Sequence, residues 1–138
     1  MSIAQIHAAA VCAWFGVIGA EVILELHGRD PAARRVVAAV HQWIDLLLEG
    51  PLVLLVLATG AVLVARAWPL SPLLIVKVIA GLVAIIANMI CIPLVRMRAA
   101  ATDDRRMLSL SRQVTQTGFA IPVGVFALVL GFGFFSPG

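Results

Sequence analysis

The chain has 138 residues, of which 62% are hydrophobic and 12% charged, with a mean hydropathy of +1.08. That leaves too little polar surface to clothe a soluble domain of this size, and the composition points to an integral membrane protein. The net charge of +3 and the pI of about 9.7 do not indicate nucleic acid, because no basic patch is interleaved with aromatic residues and membrane orientation accounts for the arginines.

In chain order, the first apolar segment runs over residues 3–24, long enough for the ~20 residues that a bilayer span needs. No Lys or Arg precedes it and no small-residue cleavage site leads into a soluble domain, so the first helix is expected to stay in the mature protein. On it His7, Trp14 and Glu21 recur every seven residues, and Glu25 follows Glu21 by four. All four share one stripe of a helix, and a stripe so polar inside an apolar span is expected to face a bundle interior. Arg29, Arg34 and Arg35 follow.

The second segment, 37–64, carries His41, Asp45 and Glu49 at i, i+4 and i+8, again one face. A short link around Arg66, Trp68 and Pro69 leads to the third segment, 70–95. There Lys77, Gly81, Ala84, Asn88 and Cys91 form one seam, with small residues where helices can approach closely. Arg96, Arg98, Arg105, Arg106 and Arg112 come next, and the fourth segment, 114–135, is entered through Gln113, Gln116 and Thr117. The expected fold is all-α: a single transmembrane domain over 1–138, an up-down four-helix bundle. Eight of the ten Lys and Arg residues fall in the two loops on one side. By the positive-inside rule that side is cytoplasmic, both termini lie on the opposite side, and the bacterial cytoplasmic membrane is the expected location.

Counted inward from the Arg-rich loops at ~1.5 Å per residue, Glu21, Asp45, Asn88 and Gln116 lie at similar depth, so all four helices are expected to supply one polar layer in the cytoplasmic half. Pro51, Pro93 and Pro122 each lack an N–H, which is expected to free the carbonyls of Leu47, Met89 and Gly118 for water or a cation. Carboxylates with imidazole in a helical bundle are ligands of a transition metal such as iron, copper, zinc or manganese. The expected metal ligands are Glu21, Glu25, His41, Asp45 and Glu49, supported by His27, Asn88 and Gln116. His27 and His41 are close enough in depth to share a metal. The plainer alternative makes Glu25, His27 and His41 interfacial residues paired with Arg29, Arg34 or Arg35, and Asn88 and the glutamines ordinary interhelical hydrogen-bonding groups.

Near the other end His7 and Lys77 form a second polar pair. His7 is a candidate axial ligand for haem b, and Lys77 is either its companion or a snorkelling surface lysine. Helix one descends ~30 Å before helix two begins, so His7 and His41 cannot clamp one haem between them. Cys12 and Cys91 stand at different depths, which argues against a disulfide.

His7, Trp14-Phe15, the Glu-Leu-His27 run that ends the first helix, and Trp68 and Lys77 at the entry to the third give the first three helices a pattern that resembles the HemJ-type protoporphyrinogen oxidases and the related copper-resistance protein D membrane domains. The resemblance implies a membrane bundle of four or more helices, a haem b or metal site, and redox chemistry, with His7 and Lys77 matching the family's functional histidine and lysine. The HemJ pattern also has an arginine in the second half of helix one, where this chain has apolar residues and Glu21, and no counterpart of Asp45 and Glu49.

Three functions follow as expectations. One is a metal- or haem-binding redox protein, acting with an electron-transfer partner or as a homo-oligomer. The second is a proton- or cation-coupled carrier that works through Glu21, Asp45 and Glu49. The third is a structural subunit whose buried charges pair with another chain.

Overall fold

A computed structural model describes residues 1–28 and 30–133, and Arg29 lies outside the described residues. All the regular structure among them is helical: α1 (Ile3–His27), α2 (Pro31–Ile44), a π-helical turn (Asp45–Glu49), α3 (Gly50–Arg66), α4 (Pro72–Ala99), α5 (Asp104–Thr117), a 3-10 turn (Gly118–Ala120) and α6 (Ile121–Gly133). The two short turns join their neighbours without a break, so four helices are long and apolar enough to cross a membrane: Ile3–His27, Ala32–Arg66, Pro72–Ala99 and Asp104–Leu130.

Each of these helices begins at a capping residue. Ser2 accepts from the Gln5 N–H while the Gln5 side chain accepts from the Ser2 N–H, a reciprocal cap for α1. Asp30 accepts from the N–H groups of Ala32 and Ala33 ahead of α2, and Ser71 from Leu74 ahead of α4; both are followed by a proline in the first turn, where its missing N–H is harmless. Asp103 caps α5.

Those caps move two boundaries away from the apolar runs. The second helix starts at Pro31 rather than 37, and the fourth starts at Asp104 rather than 114. The added turns are amphipathic: α5 buries Met107, Leu110 and Val114 on one face and leaves its arginines in solvent. Hydrophobicity alone marks only the bilayer portion of a helix, whereas a cap marks where its backbone bonds begin. The helices also outrun the expected ends at His27, Arg66 and Ala99. The last residues of the fourth expected segment, 134 and 135, lie outside the described residues.

The packing is two antiparallel hairpins. Helix α1 packs along α2 and α3, so that His7 meets Thr59, Trp14 meets Glu49 and Glu25 meets His41. Helix α4 packs along α5 and α6. The hairpins join through α2 against α4, at the end that holds the arginine-rich loops, while the backbones of α3 and α4 stay apart. A small core of Ala10, Trp14, Val53, Val56 and Ile85 binds the middle. Most large apolar residues point outward instead, as a lipid solvent permits: Leu46, Leu47, Leu48, Leu54, Ile79 and Ile86 are all more than half exposed.

The space left between the hairpins is divided. Phe15 bridges from α1 to α6, close enough that a Cβ placed on Gly124 would fall 2.7 Å from its Cζ. The rings of Trp14 and Phe15 stand 5.8 Å apart and line both an inner cavity of about 640 Å³ and an outer cavity of about 550 Å³.

Candidate metal centre

The site is built at the turn from α2 into α3. Pro51 cannot supply an N–H to the carbonyl four residues earlier, and the helix widens just before it into the π turn Asp45–Glu49, where the Gly50 N–H reaches back to the Asp45 carbonyl. Gly50 eases this turn, because a Cβ there would sit 3.1 Å from that carbonyl oxygen and press on it. The turn sends Asp45 and Glu49 to the bundle interior and leaves Leu46, Leu47 and Leu48 facing outward.

Around His41 the parts come together. Its Nδ1 lies 2.5 Å from Glu25 Oε1 on α1. Its Nε2 faces Glu21 Oε1 at 3.7 Å and Asp45 Oδ1 at 3.5 Å. One ligand atom each from Glu21, His41 and Asp45 falls within 4.8 Å of the others, and all three residues are buried, Asp45 to 2% exposure. Glu21 Oε1 and both Asp45 carboxylate oxygens have no hydrogen-bond partner. Buried oxygens in that condition are costly unless a cation or protons complete the site.

Arg98 decides what one end of the imidazole does. It comes from the last turn of α4, is 1% exposed, and grips Glu25 with two bonds, Nη1 to Oε2 at 2.8 Å and Nη2 to Oε1 at 2.6 Å. Glu25 so held is an ionised acceptor, hence His41 Nδ1 donates to it. The approach of Arg98 Nη2 to within 3.1 Å of Nδ1 then reflects their shared oxygen, since both atoms are donors. With Nδ1 given to Glu25, Nε2 is the ring atom that faces Glu21 and Asp45, able to serve them as an N–H donor or, as the neutral ring, to offer a lone pair to a cation. A carboxylate that orients a histidine through its far nitrogen is the usual arrangement behind a metal-bound imidazole.

The charges do not balance. Arg98 compensates Glu25, whereas the three carboxyl groups of Glu21, Asp45 and Glu49 have beside them, among the described residues, one imidazole nitrogen, His41 Nε2, and the Trp14 indole N–H, which donates to Glu49 Oε1 at 3.0 Å. Each uncompensated ion removed from water costs several kcal/mol, so the cluster calls for added positive charge.

Of the expected ligands, the structure brings Glu21, His41 and Asp45 to one point. It places Glu25 on the far nitrogen of His41 and Glu49 one turn beyond, on Trp14. Asn88 is buried with its Oδ1 unpartnered and lines the inner cavity with Cys91. Gln116 lines that cavity too but is exposed, so the fourth helix contributes to the cavity wall and not to the cluster. His27 is not brought in: it is exposed and bonds its own Ile23 carbonyl at 2.7 Å. Gly118's carbonyl is not left free by Pro122, because the chain tightens into a 3-10 turn and the Ile121 N–H takes it. As the interfacial alternative has it, Glu25 does pair with an arginine. That arginine is buried and comes from α4, while Arg35 pairs with Asp104 at the exposed end. Cys12 and Cys91 are both free thiols.

The sequence reading missed two residues. Arg98 was counted with the loop arginines, although it continues the seam of Asn88 and Cys91 through Val95 at helical spacing. Trp14 was placed on the right stripe without its partner.

At the outer end His7 and Lys77 line the same cavity. His7 Nδ1 lies 2.8 Å from the Thr59 hydroxyl oxygen.

No family model, no curated protein and no solved structure matches the chain. Its function has to be read from the chemistry of these two places.

Proposed function

We propose that the chain is an integral protein of the bacterial cytoplasmic membrane, with both termini outside the cytoplasm, that holds a transition-metal ion between Glu21, His41 and Asp45 for redox chemistry. The observation that carries this reading is the convergence of His41 Nε2 with two buried carboxylates whose facing oxygens have no hydrogen-bond partner. An imidazole with two carboxylates suits iron, manganese or zinc, and copper if Cys91 draws near; iron, copper and manganese are those with accessible redox states. Glu25 and Arg98 would hold the imidazole in the required tautomer. The inner cavity supplies a route to the site. The redox part draws on the resemblance to the HemJ-type and copper-resistance families, in which a haem b at His7 is the other form such a cofactor would take.

The test is elemental analysis and an absorption spectrum on one sample of detergent-purified protein. Near-stoichiometric metal, lost in His41→Ala and Asp45→Asn, is expected. Full metal retention in both variants would sink the assignment, and a Soret band lost in His7→Ala would move the cofactor to the outer cavity.

One observation favours a second reading. The excess negative charge beside a cavity would serve equally a proton- or cation-coupled carrier in which Glu21, Asp45 and Glu49 load and release their cargo. That reading predicts metal-free protein and a cation or proton flux in proteoliposomes that Asp45→Asn abolishes.

A further inference from the structure

The outer cavity is a site of another kind, and its chemistry can be worked out from hydrogen-bond direction. The Thr59 hydroxyl has a single proton, which it gives to the Leu55 carbonyl at 2.6 Å. Its oxygen must therefore accept from His7, so the proton of the neutral ring sits on Nδ1 and Nε2 carries a lone pair. No described residue bonds that nitrogen. Lys77 brings an ammonium, a donor with no acceptor capacity, to the same space. The rest of the wall is aliphatic, except that Trp14 and Phe15 close its inner end. Leu57 and Leu82 belong to this wall and are 42% and 44% exposed, so the cavity is reached from the lipid side, where α3 and α4 stand apart.

A ligand for this space has to come from the bilayer, bring an apolar body, and carry a head that donates to His7 and accepts from Lys77. We propose that the outer cavity binds a lipid-soluble hydroxyaromatic molecule of the quinol class, its hydroxyl hydrogen on His7 Nε2 and its hydroxyl oxygen on the Lys77 ammonium. A fatty carboxylate would satisfy Lys77 but set an acceptor against an acceptor at Nε2. An aliphatic alcohol would satisfy both groups and leave the faces of Trp14 and Phe15 without an aromatic partner. A quinol uses both polar groups and brings a ring to the aromatic end of the cavity. The volume of about 550 Å³ falls within the range of roughly 300 to 1,000 Å³ found for small-molecule pockets. This site does not depend on the metal centre, and either can fail without the other.

The experiment is calorimetric titration of the full chain in detergent with decyl-ubiquinol under anaerobic conditions, beside the same compound O-methylated on both hydroxyls. Saturable binding of the quinol, with affinity lower by about tenfold or more in His7→Phe, in Lys77→Met and for the methylated compound, is the expected result. Thr59→Val, which keeps the shape of the wall and frees the His7 ring to change tautomer, gives a milder variant and is expected to weaken binding severalfold with unfolding temperature little changed. The proposal is overturned by no saturable binding, by equal affinity across these variants, by equal affinity for the methylated compound, or by a Soret band lost in His7→Phe.

Discussion

The inner site and the outer cavity each contain one histidine on the bundle side of its helix, and in each the Nδ1 proton is fixed by a partner on the neighbouring helix. His41 gives it to Glu25, an ion held in turn by Arg98; His7 gives it to the neutral hydroxyl of Thr59. In both rings Nε2 is the atom left to the surroundings, and what that nitrogen faces differs completely. His41 faces two carboxylates, His7 a cavity that a lysine and aliphatic side chains line. One device for orienting an imidazole thus produces a place for a cation at one end and a place for a neutral donor at the other. The surrounding charge, and not the histidine, selects the ligand.

The largest expected effect breaks the inner half of this comparison. Arg98→Met leaves the partly buried carboxylate of Glu25 with His41 as its one hydrogen-bond partner among the described residues, which should cost about 1.5–3 kcal/mol of stability, read as a lowered unfolding temperature in detergent. Adding Glu25→Leu to that variant should recover most of the loss, because the unpaired charge is gone. If Arg98→Met changes stability by less than about 0.5 kcal/mol, Arg98 behaves as an ordinary surface arginine and the tautomer argument for His41 fails.

Glu25→Gln is the gentler cut. The amide oxygen can still accept from His41 Nδ1, but the charge that makes the ring a stronger ligand is lost. Metal affinity should fall about 10–100-fold with the fold retained, measured by competition with a chelator. Unchanged affinity would show that Glu25 serves only Arg98. Next in size is Trp14→Phe, which takes from Glu49 the donor at 3.0 Å and should cost about 1–3 kcal/mol. Glu49→Gln in that background should restore part of it, since an amide is less costly to leave with fewer partners than a carboxylate.

Much of this was legible in the sequence, and the reasons for success and failure are specific. Stripes at helical spacing found Glu21, His41 and Asp45 because periodicity survives folding. His27 was misjudged for the same geometric cause: it stands two residues from Glu25, about 200° round a helix of ~3.6 residues per turn, so its side chain emerges across the helix from the stripe. Gln116 stands two residues from buried Val114, again across the helix. Arg98 escaped because one residue type carries two messages, the positive-inside signal and the buried partner, and only its register on the Asn88–Cys91 seam separates them. The early starts of the second and fourth helices were written in Asp30-Pro31 and Asp103, cap signals that an apolar scan passes over. The widened turn was not legible, since Pro51 announces a lost hydrogen bond without saying whether the helix kinks, tightens or widens. Near Pro122 the same loss is met by the opposite choice, a 3-10 turn.

That widened turn supplies the smallest and most discriminating prediction. In an ordinary helix interior Gly→Ala stabilises by about 1 kcal/mol, because alanine loses less chain entropy on folding. At Gly50 the added methyl would meet the Asp45 carbonyl oxygen at 3.1 Å, tighter than most real Cβ contacts, and that oxygen belongs to the backbone, which gives way less readily than a side chain. The turn would have to shift, and Asp45 moves with it. Gly50→Ala should therefore reverse the usual sign, lowering stability by about 1 kcal/mol and weakening metal binding together, whereas Gly81→Ala, on a helix with open space around its Cα, should follow the ordinary rule and leave the metal alone. Stabilisation at both positions would mean that the π turn is not what holds Asp45 toward His41. Opposite signs, with metal affinity following only Gly50, would tie the ligand geometry of the inner site to five residues of backbone.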